Sequence, residues 1–239
     1  RVPGQDAGGI CKGADGCEKM LSGCVAKRRN TAAQNCGDRC DIIFVGDSLL
    51  ETLLGRKCFS GGRPFTESAQ VYQEQVLLRH PKSLMLAGSG DETSQTLHML
   101  DTGLPAIKAP RLYFVMIGTN NIPKGGSAHA LRGIGAVVER LHTKHPSTPI
   151  LLHTLLPRSD DGDHGFFQAH IDEVNIELPV LVSQVAATGV VIELIDCSGV
   201  LPRAGPSFIE HFYDKLHLSS RLEDLVPFKL RVVKTSSSA

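Results

Sequence analysis

Asp41-Ile42-Ile43-Phe44-Val45-Gly46-Asp47-Ser48-Leu49 is the stretch on which the reading of this chain turns. Residues 41–45 form a short apolar run rich in β-branched side chains, which predicts a buried strand, and Gly46 behind it permits a tight turn. Ser48 then falls just past the strand's C-terminal end. In open α/β sheets that edge is where ligands bind, because loops converge there above strands that hold them rigidly. A serine nucleophile needs a base to take its proton and an acid group to orient the imidazolium that forms. Phe212-Tyr213-Asp214-Lys215-Leu216-His217-Leu218, near the other end of the chain, offers His217 and Asp214 for those roles. The pattern G-x-S-x-G is absent, since Leu50 stands two residues after Ser48, and this disfavours an ordinary α/β-hydrolase.

Two further segments offer hydrogen-bond donors for the oxyanion of a tetrahedral intermediate. Ala87-Gly88-Ser89-Gly90-Asp91 follows the apolar run Ser83-Leu84-Met85-Leu86, and Gly90 lets a backbone N–H approach a substrate without a side chain in the way. Gly118-Thr119-Asn120-Asn121 follows Leu112-Tyr113-Phe114-Val115-Met116-Ile117, and the Asn120 amide is a second donor. The Ser48 N–H is a third. Each segment alone has a duller explanation. Gly-Asp-Ser is common in turns, Gly-Thr-Asn-Asn suits a turn and helix cap, and Asp214 with His217 suits a surface pair at a helix start. Their joint occurrence, each after a strand where a loop belongs, carries the weight.

Strand signals at 42–46, 83–87, 112–117, 150–155 and 190–195 alternate with helix signals. The helices are expected at 49–55, 71–79, 92–101, 127–145, 167–187 despite Pro179, and 219–233, with a weak candidate at 18–30. In the 127–145 segment Leu131, Ile134, Val138 and Leu141 recur at helical spacing. Repeated β and α units predict an α/β fold, a three-layer sandwich with a parallel sheet covered by helices on both faces.

The four segments, in this order, resemble the SGNH (GDSL) hydrolase superfamily, whose hallmark residues are Ser, Gly, Asn and His. The resemblance implies Ser48 as nucleophile, Ser48, Gly90 and Asn120 as oxyanion donors, His217 as base, Asp214 as its orienting carboxylate, and five strands in flavodoxin-like order. Within the superfamily the chain is similar to the intracellular, brain-type platelet-activating-factor acetylhydrolase catalytic α subunits, over residues 20–233. Segments 41–48, 90–100, 118–121, 155–158 and 213–219 carry this likeness. It implies a short acyl group, such as the sn-2 acetyl of an ether phospholipid, with Leu49 and Leu216 helping to shorten the pocket. A general short-chain esterase, a lysophospholipase, a carbohydrate deacetylase and a non-catalytic binding subunit are the alternatives on the same scaffold. Homodimer formation, a β-propeller regulatory partner and a cytoplasmic location are likewise implied by resemblance alone. Two departures stand out: that subfamily has a Gly-x-Gly-Gly-Asp turn where this chain has Gly88-Ser89-Gly90-Asp91, and it carries tryptophans where this chain has none. Residues 56–70 read as an insertion between the first helix and the second strand.

At 239 residues with 41% hydrophobic content, the chain suits one α/β domain, expected at 20–235 between an N-terminal extension, 1–19, and a tail, 236–239. Its 25 basic and 25 acidic residues balance, which gives no reason to expect nucleic acid as a partner. No uncharged apolar stretch reaches the roughly 18 residues that span a bilayer, and no secretory signal pattern is present, although the chain begins at Arg1. Neither metal nor organic cofactor is expected. Of seven cysteines, Cys11, Cys17, Cys24, Cys36 and Cys40 precede the first strand without a C-x-x-C pair. That spacing argues against zinc, and reduced thiols are favoured over an N-terminal disulfide cluster. Asp160-Asp161-Gly162-Asp163-His164 lacks the spacing of a calcium loop and reads as a solvated loop. His142 and His145 read as exposed, His153 as a core or rim histidine, and Cys58 and Cys197 as weak alternatives for a nucleophile.

Overall fold

Five short runs rich in Ile, Leu, Val and Phe become the strands of one parallel sheet in the computed structural model, which describes residues 36, 39–55, 65–103, 110–159, 165–196, 201, 212 and 214–218. In chain order they are β1 (Ile42–Asp47), β2 (Leu84–Gly88), β3 (Leu112–Met116), β4 (Ile150–His153) and β5 (Ile192–Ile195). The lateral order is β2-β1-β3-β4-β5, the flavodoxin-like order. Every residue of β1 and β2 is buried, as parallel strands covered on both faces require.

The helices are α1 (Ser48–Glu51), running on into a 3₁₀ turn at Thr52–Leu54, α2 (Thr66–Tyr72), running on into a π turn at Gln73–Leu77, α3 (Thr93–Gly103), α4 (Ile122–Lys144) and α5 (Phe166–Ala187). Because side chains alternate across a strand, the sheet has two separate apolar faces. Ile43, Val45, Leu86, Val115 and Leu152 pack with Leu100, Ile134, Val138, Val174 and Leu178 from α3, α4 and α5. Phe44, Met85, Phe114 and Met116 face the other way, onto Leu49, Leu50, Tyr72, Val76, Leu156 and Phe212. Phe44 and Phe114, in register across β1 and β3, have ring centroids 5.3 Å apart.

Several boundaries differ from expectation. Helix α4 begins at Ile122, five residues early, with Pro123 in its first turn, where the missing N–H costs nothing. Gly126, at φ 65°, interrupts it, so the expected start at Ser127 is where the helix resumes. The stretch read as an insertion, 56–70, ends inside α2, which starts at Thr66. Strand β4 stops at His153, two residues short of the expected end.

The cysteine expectation is corrected: Cys36 and Cys40 form a disulfide, their Cα atoms 4.7 Å apart at the chain's entry to β1. His142 and His145 are not exposed either. Both are half-buried, and His145 Nδ1 lies 2.5 Å from the Tyr113 hydroxyl. The helices expected at 18–30 and 219–233, both ends of the expected domain, Cys11, Cys17, Cys24, Cys58, Cys197 and the 160–164 loop lie outside the described residues.

Candidate active site

The strand order reverses direction between β1 and β3, and the predicted residues gather at the C-terminal ends of β1, β2 and β3. Ser48 opens α1 immediately after β1. Asp47 caps that short helix, its Oδ1 accepting the Leu49 N–H at 2.9 Å. Gly46 allows the strand to end so close to its neighbour: a β-carbon there would stand 2.3 Å from the Met116 carbonyl oxygen and 2.7 Å from a Leu50 methyl.

His217 Nε2 lies 2.8 Å from Ser48 Oγ, across 169 positions of sequence. On the other side of the ring, Nδ1 lies 2.8 Å from both carboxylate oxygens of Asp214. An ionised carboxylate only accepts, so Nδ1 carries the hydrogen and Nε2 is left with a lone pair facing the serine hydroxyl. The Asp214-to-His217 turn is held from within, since Asp214 Oδ1 also accepts the His217 N–H at 2.8 Å. From outside, the Ser159 N–H bonds the Lys215 carbonyl at 3.0 Å, and Phe212 and Leu218 pair as an antiparallel bridge. Ser48 and His217 are buried, whereas Asp214 is exposed.

After β2, the Asp91 N–H bonds the Gly88 carbonyl at 3.1 Å, closing a turn with Gly90 in its third position at φ 81°. After β3, Asn120 Nδ2 donates to the Asp91 carbonyl at 2.9 Å, which joins the two loops. One hydrogen of that amide is thereby engaged and the second is free of this bond. Beside it, buried Asn121 clamps the start of α3, accepting the Thr93 N–H at 3.1 Å and donating to Thr93 Oγ1 at 3.0 Å. Arg158, also buried, donates through Nη1 to the Thr119 carbonyl at 2.7 Å, with its guanidinium carbon 4.8 Å from the Phe167 ring centroid.

All the predicted polar residues thus stand at one end of the sheet. Leu49 belongs to the apolar cluster beneath the serine, and Leu216 is half-buried beside His217. His153, read as a core or rim histidine, is buried with its ring 5.8 Å from Phe114, its Nδ1–H donating to the Thr154 carbonyl at 2.6 Å. Burial pushes its imidazolium below the usual histidine range, against smaller opposing pulls from that carbonyl and Asp196. Sequence reasoning missed Asp47, Glu51, Asn121 and Arg158. Glu51 had a visible signal, a charge among Leu49, Leu50, Leu53 and Leu54; it is fully buried and accepts the Ser89 hydroxyl.

The sequence profile of the GDSL-like Lipase/Acylhydrolase family matches residues 44–224. Among curated proteins, platelet-activating factor acetylhydrolase IB subunit alpha2 of Rattus norvegicus is 26% identical over 195 residues, which are 80% of this chain and 75% of the relative. A GDSL-like lipase from Bacteroides thetaiotaomicron superposes with a TM-score of 0.55 at 12% identity, covering 81% of this chain and 90% of that one. The family 3 carbohydrate esterase of Clostridium thermocellum gives 0.53 at 18% identity, over 76% and 88%. At such identities the two structures speak to the fold.

Proposed function

The chain belongs to the GDSL-like lipase/acylhydrolase family and is a hydrolase; on that premise we propose that it cleaves short-chain acyl esters through an acyl-serine intermediate on Ser48. The observation that carries the reading is the continuous hydrogen-bonded chain from Ser48 Oγ through the His217 ring to the Asp214 carboxylate. In the proposed reaction His217 Nε2 takes the hydroxyl proton as Ser48 Oγ attacks the ester carbonyl, and Asp214 balances the imidazolium. The Ser48 N–H, the Gly90 N–H and the second hydrogen of the Asn120 amide receive the oxyanion. His217 returns its proton to the leaving alcohol. A water deprotonated by the same nitrogen then attacks the acyl-serine carbonyl, which releases the acid and restores the hydroxyl.

The substrate we propose is an acetyl or similarly short ester, in the form of a platelet-activating-factor-like phospholipid. Its support is the similarity to the acetylhydrolase alpha2 subunit. Leu49 and Leu216, flanking the nucleophile and the base in sequence, would limit the acyl pocket. Pairing into a homodimer and a β-propeller partner rest on the resemblance alone, and the mass in solution tests both. No helix among the described residues is long and apolar enough to cross a membrane. A cytoplasmic location rests on the resemblance too, and the Cys36–Cys40 bond stands against it, because cytosolic thiols are kept reduced.

Hydrolysis of p-nitrophenyl acetate by the protein and by its Ser48→Ala variant, at neutral and mildly acidic pH, tests the reaction. Activity is expected in the first and background in the second. Equal rates in both would remove Ser48 from the chemistry, and a series of acyl chains then tests the preference for acetate.

A further inference from the structure

Glu51 is a carboxylate with no exposed surface, set on α1 three residues past Ser48, and the acyl transfer proposed above assigns it nothing to do. A buried charge is costly unless it is hydrogen-bonded. Its Oε2 accepts the Ser89 hydroxyl at 2.5 Å. Ser89 is the second residue of the turn Gly88-Ser89-Gly90-Asp91, in which Gly90 is third at φ 81°. A left-handed third residue is the mark of a type II turn, whose central peptide is flipped relative to type I. Here the central peptide joins Ser89 to Gly90, and its N–H is the Gly90 donor. The direction of that N–H is therefore set by the backbone of Ser89 and Gly90. Gly90 has open space where a β-carbon would be and gives no anchorage of its own. The side-chain anchor sits one residue earlier, at Ser89.

We propose that the Glu51–Ser89 hydrogen bond holds the Gly90 N–H in its oxyanion-binding direction, making Glu51 and Ser89 positioning residues for acyl transfer; this rests on the esterase reading above. Glu51 shares α1 with Ser48, so the bond ties the donor to the element that carries the nucleophile. The far end of the turn is tied as well, Asn120 donating to the Asp91 carbonyl, and the asparagine loop is held through Thr93 and Arg158, so the Ser89 bond is the side-chain tie between the turn and α1. Glycine in place of Ser89 could make no such bond. Misplacing a reacting group by about 1 Å costs on the order of 10²-fold in rate, and losing one oxyanion donor about 10²- to 10³-fold. Loosening the Gly90 donor belongs at the low end, about 10- to 100-fold in kcat.

The test compares the wild type with Ser89→Ala, Glu51→Gln and the double variant on p-nitrophenyl acetate, with active sites counted by fluorophosphonate labelling. Phenylboronic acid, which forms a tetrahedral adduct with a serine, reports the oxyanion hole directly. Glu51→Gln keeps an acceptor oxygen for the Ser89 hydroxyl, while Ser89→Ala removes the donor and takes a hydrogen bond from buried Glu51, so the count of labelled sites separates any loss of folded protein from a loss of rate per site. Per active site, Ser89→Ala is expected to lower kcat about 10- to 100-fold and to raise the boronate Ki by a similar factor, with KM within about threefold. Glu51→Gln is expected within about threefold of wild type, and the double variant no slower than Ser89→Ala. Wild-type kcat and Ki in Ser89→Ala overturns the proposal. A loss confined to the fraction of sites that take the label also overturns it, since that is the signature of a structural role. A wild type that neither hydrolyses the ester nor takes the label overturns the esterase reading first, and this proposal with it.

Discussion

Asp214 accepts two hydrogen bonds from His217, one from the ring and one from the backbone, with a side chain left 41% exposed. Water reaches the carboxylate, so its charge is partly screened, and in the proposed triad it would orient the ring more than balance its charge. Asp214→Asn keeps the shape and presents an amide that can donate to the ring, which favours the wrong tautomer for taking a proton from Ser48. Because of the screening, the loss in kcat is expected on the order of 10²-fold, smaller than for a buried triad carboxylate, with an unchanged circular dichroism spectrum. Full activity in that variant would remove Asp214 from the site. Asn120 is half-buried, and in the proposed reaction its amide donates to the oxyanion. Asn120→Ala should cost about 10²- to 10³-fold in kcat with little change in KM, because the bond is made to the oxyanion and not to the ground-state carbonyl. A rise in KM alone would place Asn120 in ground-state binding.

At the scale of elements, the strands were legible because parallel strands buried on both faces read as unbroken apolar runs, and all five stand within two residues of where those runs predict them. Helix starts were less so. Nothing in the periodicity of 127–145 reveals that Pro123 opens a turn before Gly126 breaks it. The residues proposed for the chemistry were legible as motifs, each local to one loop. Its fastenings were not, since Glu51 to Ser89 and Thr119 to Arg158 are pairs 38 and 39 positions apart. The disulfide escaped for a different reason: spacing and an odd cysteine count cannot tell a bond from a thiol. Cys36 and Cys40 are only four positions apart, so their bond removes little freedom from the unfolded chain, about 2 kcal/mol by loop-closure entropy. For a domain of this size that corresponds to about 4–8 °C in Tm. Melting with and without a thiol-free reductant measures it, with Cys36→Ser as the control that reductant should not affect. No change on reduction would mean that the bond contributes nothing to this entry into β1.

For the molecule as a whole, the sheet face that carries the site is also the face on which Leu201 and Phe212 pack, in the cluster of Phe44, Phe114, Leu49 and Leu156. His153 lies at the end of β4 against Phe114, a member of that cluster, so a charge on it would sit in the packing of this face. Burial holds its pKa below the ordinary value, so the folded protein refuses a proton that the unfolded chain accepts near pH 6.5. The sign follows directly. Above about pH 6.5 neither state is protonated and the stability is fully present; as pH falls from there, the unfolded state gains the proton alone and stability declines by up to about 1.4 kcal/mol per pH unit until the depressed folded value is reached. Urea unfolding at pH 7.5, 6.5 and 5.5 measures the decline, and His153→Gln, which keeps a donor for the Thr154 carbonyl but does not titrate, isolates this residue from the other histidines. The variant is expected to lose less stability than the wild type between pH 6.5 and 5.5, by up to about 1 kcal/mol, and equal losses would show that the imidazole is not what sets the acid limit of the fold.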